Sequence, residues 1–217
     1  KEYAEKIFHF HRDSVKHVRI YDRFEQFEFE KTEDGWQILQ PVKTDADESP
    51  INSLISSLVN LKKERTLKVN ENDIEGYGLG EKAKTVEVTD MGDHKATIHI
   101  GNNTSIGSNV YVSEIDTLVH LVGSSVKTNA GKSLFEWRNK KVINVDKNKV
   151  REFHLKNKFG KFKFTKEGKD WFLNSPLETK ADNSKVNDIL NKLDYGRIKS
   201  VVEEKGDKLS NYKLRKP

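Results

Sequence analysis

The sequence predicts an α+β fold built as a tandem repeat. Each copy is an antiparallel β-meander followed by a helix packed on the sheet, with an additional antiparallel sheet between the copies and a truncated second copy. Three observations carry that expectation. The stretch FEFEKTEDGWQILQP at 27–41 returns as FKFTKEGKDWFLNSP at 162–176, an offset of 135 with no gap. Apolar residues inside both stretches alternate with polar ones at period two, the mark of half-buried strands. After each stretch the apolar period changes to that of a helix stripe.

In chain order, Val18 and Ile20, then Phe27 and Phe29, define two strands with polar neighbours between them. Asp34-Gly35 supplies a tight turn, Trp36 and Ile38 form the third strand, and Pro41 ends the meander. Ser49 fits a helix N-cap with Pro50 at the first helical position, and Ile51, Leu54, Ile55, Leu58 and Leu61 make one apolar stripe. TVEVTD, KATIHIG, VYVSEI and LVHLVG between 85 and 123 read as four short antiparallel strands, with Met91-Gly92-Asp93, Asn102-Asn103 and Asp116 near the turns. SSVKTNAGKSLFEWRNKK, 124–141, reads as a short helix or an irregular linker into the second copy.

The correspondence at offset 135 runs from Val15 and Val150 to Leu79 and Leu214. It pairs Phe24 with Phe159, Trp36 with Trp171, Pro41 with Pro176, Ala46-Asp47 with Ala181-Asp182, Ser49 with Ser184 and Tyr77 with Tyr212. The outward positions of the second strand do not keep their charge: Gln26, Glu28 and Glu30 become Lys161, Lys163 and Thr165. What repeats is packing, not a shared surface chemistry. The expected organisation is a lead-in at 1–14, a first unit at 15–142 and an incomplete second unit at 143–217.

Composition excludes several classes. The chain has no cysteine, which removes disulfide frameworks, thiolate metal sites and cysteine nucleophiles together. No apolar run reaches the roughly 18 residues of a spanning helix. Residues 1–135 hold 17 Lys+Arg against 22 Asp+Glu, and 136–217 hold 22 against 12, so the net charge of +5 conceals an acidic part and a basic part. The basic part reads as a lysine-rich surface, because its cations are scattered and arginine is scarce.

Each motif with chemical potential has a plainer reading. AGKS at 130–133 resembles the end of a phosphate-binding loop, but the required upstream glycine is Val126. His9 and His11 would share a strand face near His17, with Phe8 and Phe10 opposite, yet no carboxylate or fourth ligand is spaced to complete a metal site. His99 and His120 fall in strands. IGSNV and VGSSV lack the glycine-x-serine-x-glycine form. Trp36 and Trp171 follow turns and align with inward neighbours, so they read as buried anchors. KFGKFKF at 158–164 puts Phe and Lys on opposite faces, which denies a single-strand nucleic-acid platform. No catalytic, metal, cofactor-binding or ligand-binding residue is assigned.

The succession Trp36, Pro41, Ala46-Asp47, Arg65, Tyr77-Gly78-Leu79, Gly101, Tyr111 and Arg138 resembles the bacterial domain-of-unknown-function family numbered 4340 from about Val15 onward. A departure is the absence of proline after Gly78-Leu79, where Gly80-Glu81-Lys82 stands. The resemblance implies an extracytoplasmic protein tethered by an N-terminal helix or lipid and encoded beside gliding-motility-type ABC export components. It implies no catalytic residues. The expected function is a non-catalytic interaction or scaffold module with protein partners at the membrane or cell envelope, without specific nucleic-acid binding or a cofactor. The alternative is a binding protein for glycan, peptide or anionic polymer in a cleft between repeats.

Overall fold

The structure is a computed structural model, which describes residues 5–115 and 117–214. The chain divides into two compact units, Lys1–Asn139 and Lys140–Pro217, and its class is α+β. Asp116, and residues 215–217 of the compared segment YKLRKP, lie outside the described residues.

In the first unit, β1 (Val15–Tyr21), β2 (Gln26–Thr32), β3 (Gly35–Gln40) and β4 (Thr44–Asp45) form a meander followed by α1 (Glu48–Val59). The chain turns at Glu33-Asp34, and Gly35 opens β3 at φ +115°, a region that favours glycine. Then come β5 (Arg65–Lys68), a 3-10 segment (Glu71–Tyr77), β6 (Lys84–Asp90), β7 (Lys95–Asn103), β8 (Asn109–Ile115), β9 (Leu118–Gly123), α2 (Ser125–Ala130) and α3 (Leu134–Trp137).

The expected additional sheet is not a separate sheet. β1 pairs with β6 antiparallel, Val18 opposite Val88 and Ile20 opposite Val86, which joins meander and later strands into one nine-stranded sheet, β4-β3-β2-β1-β6-β7-β8-β9-β5. The physical reason is the shared apolar face: an exposed β1 edge would leave Val18 and Ile20 partly wet, whereas pairing buries both completely. That face carries Val18, Ile20, Phe27, Phe29, Ile38, Val86, Val88, Ile98, Ile100, Val110 and Val112 in one core with Ile51, Leu54, Ile55 and Leu58 of α1 and Val126 of α2.

Two local expectations are corrected. The N-cap of α1 is Asp47, not Ser49: its carboxylate accepts the Ser49 N–H at 3.0 Å from an extended backbone, and Pro50 is the third helical residue. A carboxylate there satisfies an orphan donor and faces the positive end of the helix dipole, which a hydroxyl does less well. His9 and His11 do not lie on a strand. Phe8 is buried and His11 caps a 3-10 turn at Arg12–Ser14, its Nδ1 accepting the Asp13 N–H.

The second unit contains β10 (Glu152–Asn157), β11 (Gly160–Glu167), β12 (Asp170–Ser175) and β13 (Thr179–Lys180), in that sheet order, and then α4 (Asn183–Tyr195) capped by Asp182. Its core is small. Trp171, Val186 and Leu190 are buried, with Val150, Phe153, Phe164 and Ala181 packed around them. Among the described residues no helix is long and apolar enough to cross a membrane.

Candidate functional site

Helices α1, α2 and α3 pack on the apolar face of the large sheet, so period two sends the alternate side chains of β1, β2, β6 and β7 to the other face. There His17 Nε2 lies 2.9 Å from Glu28 Oε1, and Arg19 donates to Gln26 Oε1 at 3.2 Å. Gln26 in turn donates to Gln40 at 2.9 Å. The Tyr21 hydroxyl donates to Glu87 at 2.9 Å, and an Arg19 guanidinium nitrogen sits 3.5 Å from the same carboxylate. Burial and the Glu87 carboxylate push the Tyr21 phenol above its ordinary pKa, so it stays protonated as a donor. A hollow of about 460 Å³ opens here among His17, Arg19, Glu28, Glu87, Lys95 and Thr97. The arrangement offers hydrogen bonds of both polarities over a broad strand surface.

A second hollow, about 530 Å³, lies where the 3-10 segment meets β6, β7 and α2. Gly78 ends the 3-10 segment with a left-handed backbone at φ +74°. Gly101 receives the Tyr77 carbonyl so closely that a Cβ there would collide with it. Lys84 on β6 pairs with Asp22 and Glu25, each at 2.8 Å. Burial is the largest single influence and opposes both charges, but the sum of the other contacts outweighs it. The Lys84 hydrogen bond and charge, together with the Phe24 and Glu25 N–H groups, lower the Asp22 pKa, and the hydrogen bonds and charges of Asp22 and Glu25 raise the Lys84 pKa. Lys127 on α2 donates to the Gly101 carbonyl at 2.7 Å, and burial lowers its pKa.

Several of the motifs singled out from the sequence carry structural contacts. In AGKS, Gly131 is the C-cap of α2, the Lys132 carbonyl accepts the Trp137 indole N–H at 2.9 Å, and Ser133 and Glu136 form a capping box for α3. Trp36 and Trp171 are buried. His99 bonds the Thr85 hydroxyl at 3.0 Å and His120 the Thr66 hydroxyl at 2.9 Å. His120 is buried; desolvation, followed by the nearby Lys63 ammonium, holds its pKa below the usual histidine value, with Glu114 pulling weakly the other way. Among the described residues no group of three His, Asp or Glu side chains is placed to hold a metal ion. Sequence reading missed the Arg19–Tyr21–Glu87 cluster. Its only signal is the run of alternate polar positions 17, 19, 21 and 85, 87, 89, which gains meaning once β1 and β6 are known to pair.

Most of the residues that suggested a family gather at two seams, while Pro41 lies in the turn after β3 and Arg65 on β5 opposite Leu121. On one, Ala46 donates to the Trp36 carbonyl at 2.9 Å, Asp47 donates to the Trp137 carbonyl at 2.7 Å, and Ala46 bridges Arg138. At the other, Tyr77 packs edge-on to Tyr111 at 4.9 Å between ring centroids, and Leu79 closes against Gly101. The family model described as domain of unknown function (DUF4340) matches residues 36–217. The chain belongs to the DUF4340 family. No curated protein and no solved structure matches it. The DUF4340 match begins at Trp36, on the first seam, and runs through both units of the chain.

Proposed function

We propose that this DUF4340 chain is a non-catalytic interaction or scaffold module of a membrane-anchored, extracytoplasmic bacterial protein, working with an export or surface machine. The observation that carries the reading is the polar sheet face of the first unit. Its groups bond one another and present donors and acceptors outward, a pattern suited to a protein partner. The motifs that suggested chemistry are meanwhile occupied as caps and anchors.

We also propose that the two units are copies of one repeat. The support is positional: β3 and β12, β4 and β13, the 3-10 turns at Arg12–Ser14 and Lys147–Lys149, and the caps Asp47 and Asp182 all differ by 135.

The test is a photo-crosslinker placed at Thr97 or Lys95 in bacterial cells, with a control at Phe159. A discrete partner cross-linked from the sheet face in the envelope fraction is the expected result. Cytoplasmic fractionation without a cross-link, or turnover of a substrate by the purified chain, would sink the reading.

A further inference from the structure

The β10–β11 hairpin turns on Lys158 and Phe159, between Asn157 and Gly160, the last pair of the ladder. Phe159 is 78% exposed, with the Lys158 ammonium 4.9 Å from its ring centroid. β12 runs antiparallel to β11, so its connection to β13 leaves the sheet at this same end and brings Leu177, 65% exposed, to it. The hairpin's two acids, Glu152 and Glu167, lie toward the other end, where Glu152 is taken by Lys163 and His154. Within this sheet, Lys156, Lys158 and Lys161 therefore face only Glu178 near the tip. The Lys166 N–H donates to the Arg151 carbonyl at 2.8 Å, which makes Lys156 and Lys161 a non-hydrogen-bonded pair, the kind whose side chains come closest. Like charges placed directly opposite destabilise a sheet, and an anion between them turns that cost into a contact.

The first unit supplies the comparison. Its β1–β2 turn carries Phe24, also 78% exposed although β1 is paired with β6, so the exposure of such a tip does not depend on what lies beside β10. Both turns are closed alike, the Phe24 N–H donating to Asp22 and the Phe159 N–H to Asn157, each at 2.8 Å. The charge around them differs. Asp22 and Glu25 hold Lys84, and Tyr21 stands opposite Gln26 where the second hairpin has Lys156 opposite Lys161. At the second turn an amide and a glycine occupy the places of carboxylates, and lysines the places of neutral side chains.

We propose that the β10–β11 tip docks on an anionic phospholipid surface: Phe159 and Leu177 enter the boundary between headgroups and acyl chains, while Lys156, Lys158 and Lys161 lie against lipid phosphates. An exposed phenyl ring leading a set of ammonium groups fits a surface that is apolar within and anionic at its rim. A nucleic-acid strand fits less well, because stacking needs aromatic faces and cations along one groove. Here the ring sits at the apex, beyond the Lys156–Lys161 pair. The docking goes beyond the interaction reading above and belongs to a different unit of the chain.

The three native tryptophans are buried, so Phe159→Trp adds a reporter that responds by itself. With phosphatidylglycerol–phosphatidylcholine vesicles its emission should shift to the blue and the chain should sediment with them. Neither should happen with phosphatidylcholine vesicles, and Phe24→Trp should shift with neither. Lys161→Glu should weaken vesicle binding at least about tenfold, because each charge at the surface is worth roughly fivefold and two units change. It should leave Tm unchanged or higher, since it turns a like-charged cross-strand pair into an opposite one. Phe159→Ser should weaken binding at least about tenfold. Equal sedimentation with neutral vesicles, sedimentation without the blue shift, or an equal shift from Phe24→Trp would overturn the proposal. So would single-stranded DNA that displaces the vesicles and shifts the Phe159→Trp emission, which would assign the tip to nucleic acid. A chain that fails here yet still cross-links through Thr97 loses this inference and keeps the interaction reading.

Discussion

Trp137→Ala tests whether the first unit is held by the core described above. The indole is fully buried, sits edge-on to Phe29 with ring centroids 5.0 Å apart, and donates to the Lys132 carbonyl at 2.9 Å. Removing the ring and leaving its cavity costs about 3–5 kcal/mol. Loss of the donor adds about 1 kcal/mol, the low end of the range, because Lys132 is half-exposed and water can replace the indole. Set against a domain stability of about 5–15 kcal/mol, that is about a quarter of the total at the upper end and all of it at the lower. Trp137→Phe keeps most of the ring and should cost about 1–2 kcal/mol, chiefly through the lost N–H. The assay is urea titration read by native-state hydrogen exchange, so that amides of β2 and β6 are followed apart from those of β11 and β12. A loss below about 2 kcal/mol for Trp137→Ala would refute the buried-anchor reasoning. So would an equal loss in β11 and β12, which have their own core around Trp171.

Three further outcomes follow from particular contacts. Gly101→Ala should destabilise by about 1–3 kcal/mol, because the new methyl meets the Tyr77 carbonyl and also lies 3.0–3.1 Å from Leu79; an unchanged urea midpoint would mean that the 3-10 segment is not seated there. Asp47→Ala should cost about 0.5–2 kcal/mol and Ser49→Ala far less, measured by thermal melting, with the reverse order restoring Ser49 as the cap. His120 has a lowered folded pKa, so the unfolded chain binds its proton first as pH falls below about 6.5. The stability it confers is therefore complete above that pH and declines between that value and the folded pKa, with a slope of at most about 1.4 kcal/mol per pH unit. Urea midpoints across this range should be flatter for His120→Gln, and an identical slope would exclude His120 as the titrating group.

The strands were legible wherever one face is wet and the other dry. Phe27 and Phe29, Val86 and Val88, and Ile98 and Ile100 announce themselves by alternation, and all are buried as that pattern requires. Phe24 and Phe159 kept the same spacing but lie at turn tips, each 78% exposed and beneath a neighbouring cation, Arg23 or Lys158. Identity at matched positions does not by itself distinguish core from loop. β5 escaped notice because Arg65–Lys68 is short, largely exposed and at the sheet edge, with no apolar alternation to detect. The joining of β1 to β6 was hidden for a different reason: strand partners far apart leave no local trace in either segment. The same gap concealed the polar face, since Arg19 and Glu87 look like ordinary surface charges until those strands lie side by side.

That β1–β6 pairing also dictates an order of events. Val18 must find Val88, seventy residues further along the chain, whereas the second unit's sheet closes only neighbouring strands, from Asn157 against Gly160 outward. Loop closure over long separations costs entropy before contacts return it, so sheets rich in such pairings form slowly. As the chain leaves the ribosome, the β1–β3 meander will emerge with one side open until β6 has been made. The expected late step for the first unit is this wait for its own middle strand, an interval in which its N-terminal third would be open to misassociation.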